Sequence, residues 1–132
     1  MNEPTAAPFD PYGFPPDLIA AQKRAADLYA ELHRFQATLG WSREPHEGWS
    51  DVGSGQWRES ARPRTAGWEE QEAAEYDRLW RELRDAAALV YTHPHWAKCP
   101  DAYKARQALK QVPEALPTAV PGPGQADVVA AA

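Results

Sequence analysis

The sequence predicts an all-α fold in which two long helices form an antiparallel hairpin and a short third helix follows. Two stretches of similar length, residues 17–39 and 67–92, carry apolar residues at helical spacing, and such matched lengths favour a hairpin. Most of the 13 prolines and eight glycines lie at the two ends and in one central loop. The prediction is therefore a helical core with a long tryptophan-rich connecting loop and disordered termini.

The first helix is predicted at residues 17–39 because an apolar residue recurs at every seventh position. These positions are Leu18, Ala25, Leu32 and Leu39, with Ala21, Leu28 and Phe35 between them. This is the a/d pattern of a coiled coil. Asp17 suits the start of a helix and Gly40 suits the residue after its end.

The second helix is predicted at residues 67–92, where apolar residues recur at alternating steps of four and three. The stripe consists of Tyr76, Leu79, Leu83, Ala86 and Val90. Trp80 and Ala87 widen it enough to face a core. Glutamates crowd the first turns, where the helix dipole favours them, and Pro94 ends the helix.

A third, shorter helix is predicted at residues 100–112. Pro100 suits a first helical turn, and Pro113 ends the pattern. Its apolar face consists of Ala102, Ala105, Leu109 and Val112.

The helical domain is predicted to cover residues 15–112, with a segment of low helical propensity on either side. Residues 1–14 form an extended or disordered arm. The alternative is an arm that docks on the helices through Phe9, Tyr12 and Phe14. Residues 113–132 are rich in proline, glycine and alanine and are predicted to be a disordered tail.

The connecting loop, residues 41–64, carries tryptophans eight residues apart and a group of turn-forming residues that predicts a short hairpin around residues 52–56. Because one tryptophan can bury about 150 to 250 Å², these residues favour an ordered loop, which is either core or binding surface. The predicted interaction residues are Trp41, Trp49, Trp57, Arg58 and Trp96.

One cluster, His93, His95 and Cys99, has the residue types that bind a metal. Zinc accepts imidazole and thiolate ligands, so a zinc-binding protein is one hypothesis, and no other cofactor is predicted. The alternative is structural: His93 lies at a helix C-terminus, Trp96 packs, and Cys99 is a small buried apolar residue. No turn signal marks Cys99 as an activated nucleophile.

Basic residues near tryptophan suggest a nucleic-acid-associated role as a further alternative, since aromatic rings stack on bases and arginines neutralise phosphates. One group is Arg58, Arg62 and Arg64 beside Trp57, and the other is Lys98, Lys104, Arg106 and Lys110. The formal net charge of −5 argues against general attraction to nucleic acid or anionic lipid.

The remaining composition predicts a cytoplasmic protein. A single cysteine among 132 residues excludes an intrachain disulfide and fits a reducing compartment. The N-terminus lacks the features of a signal peptide, and no apolar run approaches the roughly 18 residues of a membrane span.

Two bare helices leave each apolar stripe half covered, which favours association. Either the third helix and the loop complete a monomeric core, or two chains pair their hairpins into a four-helix bundle. The sequence therefore favours a homodimer or a complex with another protein over a monomer.

Four short segments resemble a group of small, functionally uncharacterised actinobacterial helical-hairpin proteins. The segments are Pro16-Asp17-Leu18, the loop with Trp41 and Trp49, Ala73-Ala74-Glu75-Tyr76 and Thr92-His93-Pro94-His95-Trp96-Ala97. The resemblance covers about residues 15–112. It implies a bacterial cytoplasmic protein and carries over no activity, cofactor or catalytic residue.

The leading hypothesis is a non-enzymatic protein–protein interaction module or a self-associating accessory protein. Unbroken apolar stripes support it, together with the lack of an assembled catalytic set in the sequence pattern. The sequence does not decide whether the protein is an enzyme, but it favours a non-enzymatic role. It identifies neither the partner nor the specific biological role.

Overall fold

The computed structural model describes residues 8–50 and 61–118, and within these ranges the protein is all-α, as the sequence predicts. Helix α1 spans Pro16–Gln36, α2 spans Glu70–Tyr91 and α3 spans Ala102–Leu109. Short 3-10 helices cover Pro94–Lys98 and Pro113–Ala115. In the described part of the chain, no helix combines the length and the apolar character needed to cross a membrane.

Residue contacts divide the chain into two compact units. The first unit holds the described residues of Met1–Ala30 and Glu82–Ala132, and the second is Glu31–Arg81. Each long helix therefore contributes one part of its length to each unit.

The core of the first unit gathers residues from all three helices. It consists of Leu18, Val90, Trp96, Ala105, Leu109 and Ala115, each less than one-tenth exposed. Asp17 at the start of α1 is bonded to His93, just after the end of α2, with 2.9 Å between Oδ2 and Nε2. The start of α1 thus lies beside the end of α2, which is the antiparallel arrangement that the sequence predicts.

The two predicted stripes are buried over most of their length. The buried members are Leu18, Ala25, Leu28 and Leu32 in α1, and Leu79, Leu83, Ala86 and Val90 in α2. The edge of the second stripe differs from the prediction, because Trp80 is 39% exposed. Both helices are therefore amphipathic in the register that their spacing predicts.

The helix ends differ from the prediction by a few residues. Helix α1 stops at Gln36 because the backbone N–H groups of Thr38 and Leu39 bond three residues back, to Phe35 and Gln36, in a tighter turn. The heptad repeat continues past the end of the helix. Its last member, Leu39, therefore lies in the turn, where it is half-buried.

Helix α3 is shorter than predicted at both ends. It begins after Asp101, whose carboxylate accepts a hydrogen bond from the backbone N–H of Lys104 at 3.0 Å and so caps the first turn. Residues 100–101 and 110–112 form turns or irregular backbone, so the predicted segment 100–112 is only partly α-helical.

The flanking segments are more structured near the helices than the sequence predicts. Phe14 is half-buried and packs against the core of the first unit, whereas Phe9 and Tyr12 are 42% and 48% exposed. Phe14 therefore packs on the helical core, Phe9 contacts His95 while remaining exposed, and Tyr12 is exposed.

The predicted disordered tail begins too early. Residues 113–118 are described, and Ala115 is 1% exposed within the core. Thr118 is bonded to α1 through its backbone N–H, which donates to Asp27, and through its hydroxyl, which lies 2.8 Å from Lys23 Nζ. A buried methyl group and these polar contacts hold a segment that composition alone marks as unstructured.

Candidate functional site

Three aromatic rings of the loop meet in the second unit. The ring centroids of Trp41 and Trp49 lie 5.3 Å apart at 86°, and His46 lies 5.1 Å from Trp41 and 5.7 Å from Trp49. Such edge-to-face pairs are typically worth about 0.5 to 1.5 kcal/mol beyond the apolar area they bury. We call Trp41, His46 and Trp49 the aromatic cluster.

Backbone pairing fixes the position of the aromatic cluster. Trp49 exchanges two hydrogen bonds with Arg62, at 2.9 and 3.0 Å, in an isolated antiparallel bridge. His46 pairs with Thr65 in the same way, at 2.9 and 2.8 Å. The indole N–H of Trp41 donates to the carbonyl of Pro63 at 2.9 Å. Backbone hydrogen bonds thus position His46 and Trp49, and an indole hydrogen bond positions Trp41.

The close approach of loop segments 46–49 and 62–65 requires a glycine at position 48. Gly48 has φ +80°, and a Cβ there would lie 2.3 Å from the carbonyl oxygen of Arg62. Its N–H also donates to Nδ1 of His46 at 2.8 Å, which fixes the imidazole orientation. Only glycine combines this backbone conformation with the available space.

The aromatic cluster is partly open to solvent. Trp49 is 46% exposed, His46 is exposed, and Trp41 is half-buried. A tryptophan with nearly half of its surface in water and a fixed backbone is a preformed apolar contact surface. This arrangement is suited to binding, because it offers aromatic faces rather than a set of reacting groups.

A second contact network holds the other end of the loop. The indole N–H of Trp68 donates to the carbonyl of Gly40 at 2.7 Å, and its ring packs edge-to-face on Tyr76 with centroids 4.9 Å apart. The guanidinium of Arg43 lies 5.8 Å from the Trp68 ring centroid and makes two 2.8 Å bonds to the carboxylate of Asp77. Trp68 is thus a loop anchor that the sequence analysis did not single out.

The Arg43–Asp77 pair changes the acidity of both groups. Its hydrogen bonds hold the pKa of Asp77 below its ordinary value and raise the pKa of Arg43. Both side chains are about half exposed, so solvent screening keeps the contribution of the pair to stability small.

The predicted interaction residue Trp96 is in the core instead of on the surface. It is 7% exposed, its indole N–H donates to the carbonyl of Val90, and its ring contacts Phe14 and Arg106. A ring that is already desolvated in the folded chain offers no surface to a partner. The structural alternative in the sequence analysis, that Trp96 packs, therefore describes it better.

Two predicted interaction residues, Trp57 and Arg58, lie outside the described residues, as does the hairpin predicted around residues 52–56.

The three proposed metal ligands point to three different partners. His93 Nε2 lies 2.9 Å from Asp17 Oδ2, and His95 Nε2 lies 2.9 Å from the carbonyl oxygen of Pro11. The thiol of Cys99 donates to the carbonyl of His95 at 3.4 Å. Over residues 8–50 and 61–118, no group of three or more His, Cys, Asp or Glu side chains is placed to hold a metal ion. The zinc hypothesis therefore has no assembled ligand set in this part of the chain.

The environment of Cys99 favours the neutral thiol. Desolvation by burial raises its pKa, and the nearby positive charge of Arg106 offsets this only in part. Since the thiolate is the reactive form, this environment does not activate Cys99 as a nucleophile.

Sequence reasoning found Trp41 and Trp49 but missed His46 as their neighbour. The available signal was weak: Gly48 and the regular spacing of the tryptophans mark a tight turn, but they do not show which residues pair across it. The pairing of residues 46 and 65 is a long-range contact that local patterns do not encode.

Comparison with curated proteins and with solved structures gave no match to the chain. A family model does match it, over residues 17–112, which includes α2, α3, the aromatic cluster and all of α1 except Pro16. On this evidence the chain belongs to the family DUF8825, a domain of unknown function.

Proposed function

We propose that the protein is a non-enzymatic protein–protein interaction module whose recognition surface is the aromatic cluster. The observation that carries the proposal is Trp49, which is 46% exposed although both of its backbone polar groups are bonded to Arg62. Exposed tryptophans in fixed positions are the residues that most often dominate protein–protein binding energy.

The geometry of the cluster supports binding at low entropic cost. The edge-to-face contact with Trp41 and the bridge to Arg62 restrict Trp49 before any partner arrives. A preorganised side chain loses less conformational freedom on binding, so more of its burial energy contributes to affinity. The partner would cover the exposed face of Trp49 with apolar or aromatic side chains.

The partner is either another protein or a second copy of this chain. In the second case the protein is a homodimer in which the aromatic clusters of two chains meet. The proposal keeps the bacterial cytoplasmic setting that the single cysteine and the resemblance to actinobacterial proteins favour.

The experiment compares the Trp49→Ala variant with Tyr103→Ala. Tyr103, on α3, is 67% exposed and so controls for loss of an exposed aromatic ring away from the cluster. Affinity capture from the native cytoplasm and light scattering across a concentration series are run on the wild type and both variants. We expect a captured protein, or a concentration-dependent dimer, that Tyr103→Ala retains and Trp49→Ala loses.

Identical captured proteins and identical masses for all three chains would contradict the proposal. Circular dichroism checks that both variants keep the helical content of the wild type.

A nucleic-acid-associated accessory factor is the second candidate, and one observation favours it. Arg62 pairs with Trp49, and Arg64 lies two residues further along, beside His46 in a shallow concavity. Neither arginine makes an ion pair with the residues that the structure describes. A stacking ring beside two arginines that form no ion pair within residues 8–50 and 61–118 suits single-stranded nucleic acid. Binding of short single-stranded DNA at low salt that weakens in an Arg62→Gln, Arg64→Gln variant would support this role, and no binding at low salt would exclude it.

A further inference from the structure

A groove in the first unit has four alanines of the two long helices in its lining. Its floor contains Ala25, Ala26 and Ala30 from α1 and Ala87 from α2, and we call it the alanine groove. Its volume of about 530 Å³ falls within the range of roughly 300 to 1,000 Å³ that small-molecule sites occupy. Alanines leave this space open because a longer side chain at any of these positions would fill it.

Among the described residues that line the alanine groove, two are cations and none is a carboxylate. Arg106 and Lys110, one turn apart at the end of α3, both line it. Neither makes an ion pair with the described residues. The groove therefore presents uncompensated positive charge beside an apolar floor.

Aromatic contacts hold one of these cations in place. The guanidinium of Arg106 lies 5.7 Å from the ring centroid of Tyr91 and 5.8 Å from that of Trp96. Trp96 is buried, so it supplies a fixed surface on which the arginine rests. These ring contacts leave the guanidinium N–H groups available for an anion.

Two tyrosines also line the groove. Tyr29 and Tyr91 both line it and are 56% and 59% exposed, a high exposure for aromatic side chains in a folded unit. A ligand on the alanine floor would cover part of this aromatic surface.

We infer that the alanine groove binds a small apolar carboxylate, with its acyl or aryl body on the alanine floor and its carboxylate bonded to Arg106 and Lys110. The apolar floor stabilises the body by removing it from water. The two cations stabilise the head group through charge-assisted hydrogen bonds.

The test uses decanoate as the probe, below its micelle concentration, with the full chain. Calorimetry measures binding, and amide chemical shifts locate it. We expect saturable binding with shift changes at Ala26, Ala87 and Lys110. Decyltrimethylammonium, which has the same chain and the opposite charge, should bind much more weakly.

Three variants separate the two parts of the proposed site. Ala87→Leu fills the groove and should weaken decanoate binding about tenfold or more, since the ligand body and the new side chain compete for the same volume. Lys110→Gln removes an exposed cation and should weaken it by up to about fivefold. Lys104→Gln removes an exposed cation of α3 that does not line the groove and should bind like the wild type.

Four results would overturn the inference. These are no saturable binding of decanoate, equal binding of the two amphiphiles, equal affinity of the Ala87→Leu variant, and shift changes centred on Trp41 and Trp49. Light scattering tests whether a second copy of the chain occupies the groove instead. A wild-type dimer that Ala87→Leu converts to a monomer would assign the groove to the second copy and would contradict carboxylate binding.

Discussion

Leu79 and Leu89 provide a matched test of the packing of α2. Both are leucines of the same helix, yet Leu79 is 1% exposed and Leu89 is 62% exposed. Substitution by alanine removes the same atoms at both sites and changes helix propensity by the same small amount. A difference between the two variants therefore reports burial alone.

The expected cost at Leu79 follows from transfer and cavity terms. Truncation of a fully buried leucine typically lowers the free energy of unfolding by about 2 to 5 kcal/mol. A small domain has a total of about 5 to 15 kcal/mol, so Leu79→Ala removes a large fraction of the stability. Leu89→Ala should stay within about 0.5 kcal/mol of the wild type, because the side chain is already in water.

Urea unfolding followed by far-ultraviolet circular dichroism measures both values. We expect a lower midpoint for Leu79→Ala with an unchanged slope, since the surface exposed on unfolding stays nearly the same. If Leu79→Ala does not fold, the volume-conserving Leu79→Met variant keeps the test open, with an expected cost below about 1.5 kcal/mol.

The reasoning is refuted if Leu79→Ala unfolds at the wild-type midpoint, or if Leu89→Ala loses as much stability as Leu79→Ala. Either result would mean that the apolar stripe of α2 does not face the core.

Three further predictions concern the loop, the Arg43–Asp77 pair and the His93, His95 and Cys99 side chains. Gly48→Ala places a Cβ 2.3 Å from a backbone atom and puts alanine at a positive φ, which costs about 1 to 2 kcal/mol. The Trp49 indole resonance should therefore shift in this variant. Gly40→Ala is the control and should leave the resonance in place, because the atom nearest to its Cβ is 3.8 Å away. Because Arg43 depresses the pKa of Asp77, the Arg43–Asp77 pair contributes its full stability above the ordinary carboxyl pKa. This contribution is lost as the pH falls through the depressed pKa. Urea unfolding at several pH values should therefore show the wild type more stable than Asp77→Asn near neutral pH, with the difference vanishing at low pH, and a difference that does not change with pH would rule this out. Because His93, His95 and Cys99 bond to three different groups, elemental analysis of the purified protein should find no stoichiometric zinc. One equivalent of zinc in the wild type that is absent from a His95→Ala variant would contradict this prediction.

Apolar spacing was sufficient to predict the helical core. The repeat through Leu18, Ala25 and Leu32 places these residues on one side of α1, and all three are buried. Spacing did not locate the end of the helix, because Leu39 continues the repeat although the helix stops at Gln36. Termination depends on local turn hydrogen bonds, which a hydrophobic pattern does not record.

The role of each tryptophan could not be predicted from residue type. Trp96 and Trp49 have the same chemistry, but one is buried and the other is nearly half exposed. The difference arises from tertiary contacts: Trp96 meets the carbonyl of Val90 and the ring of Phe14, whereas Trp49 is held through its backbone. The alanine groove was missed for a related reason, since small residues in a helix leave no signal until a neighbouring helix faces them.

The packing of Phe14 and Ala115 has a practical consequence for work on this family. Both residues contact the same core, yet both lie beyond the matched segment 17–112. A fragment cut at those limits would lack the Phe14 ring that contacts Trp96 and the buried Ala115, and would open this core to water. Expression designs for crystallisation or screening should also keep Phe9, whose ring lies against His95, and Thr118, which is bonded to Asp27 of α1.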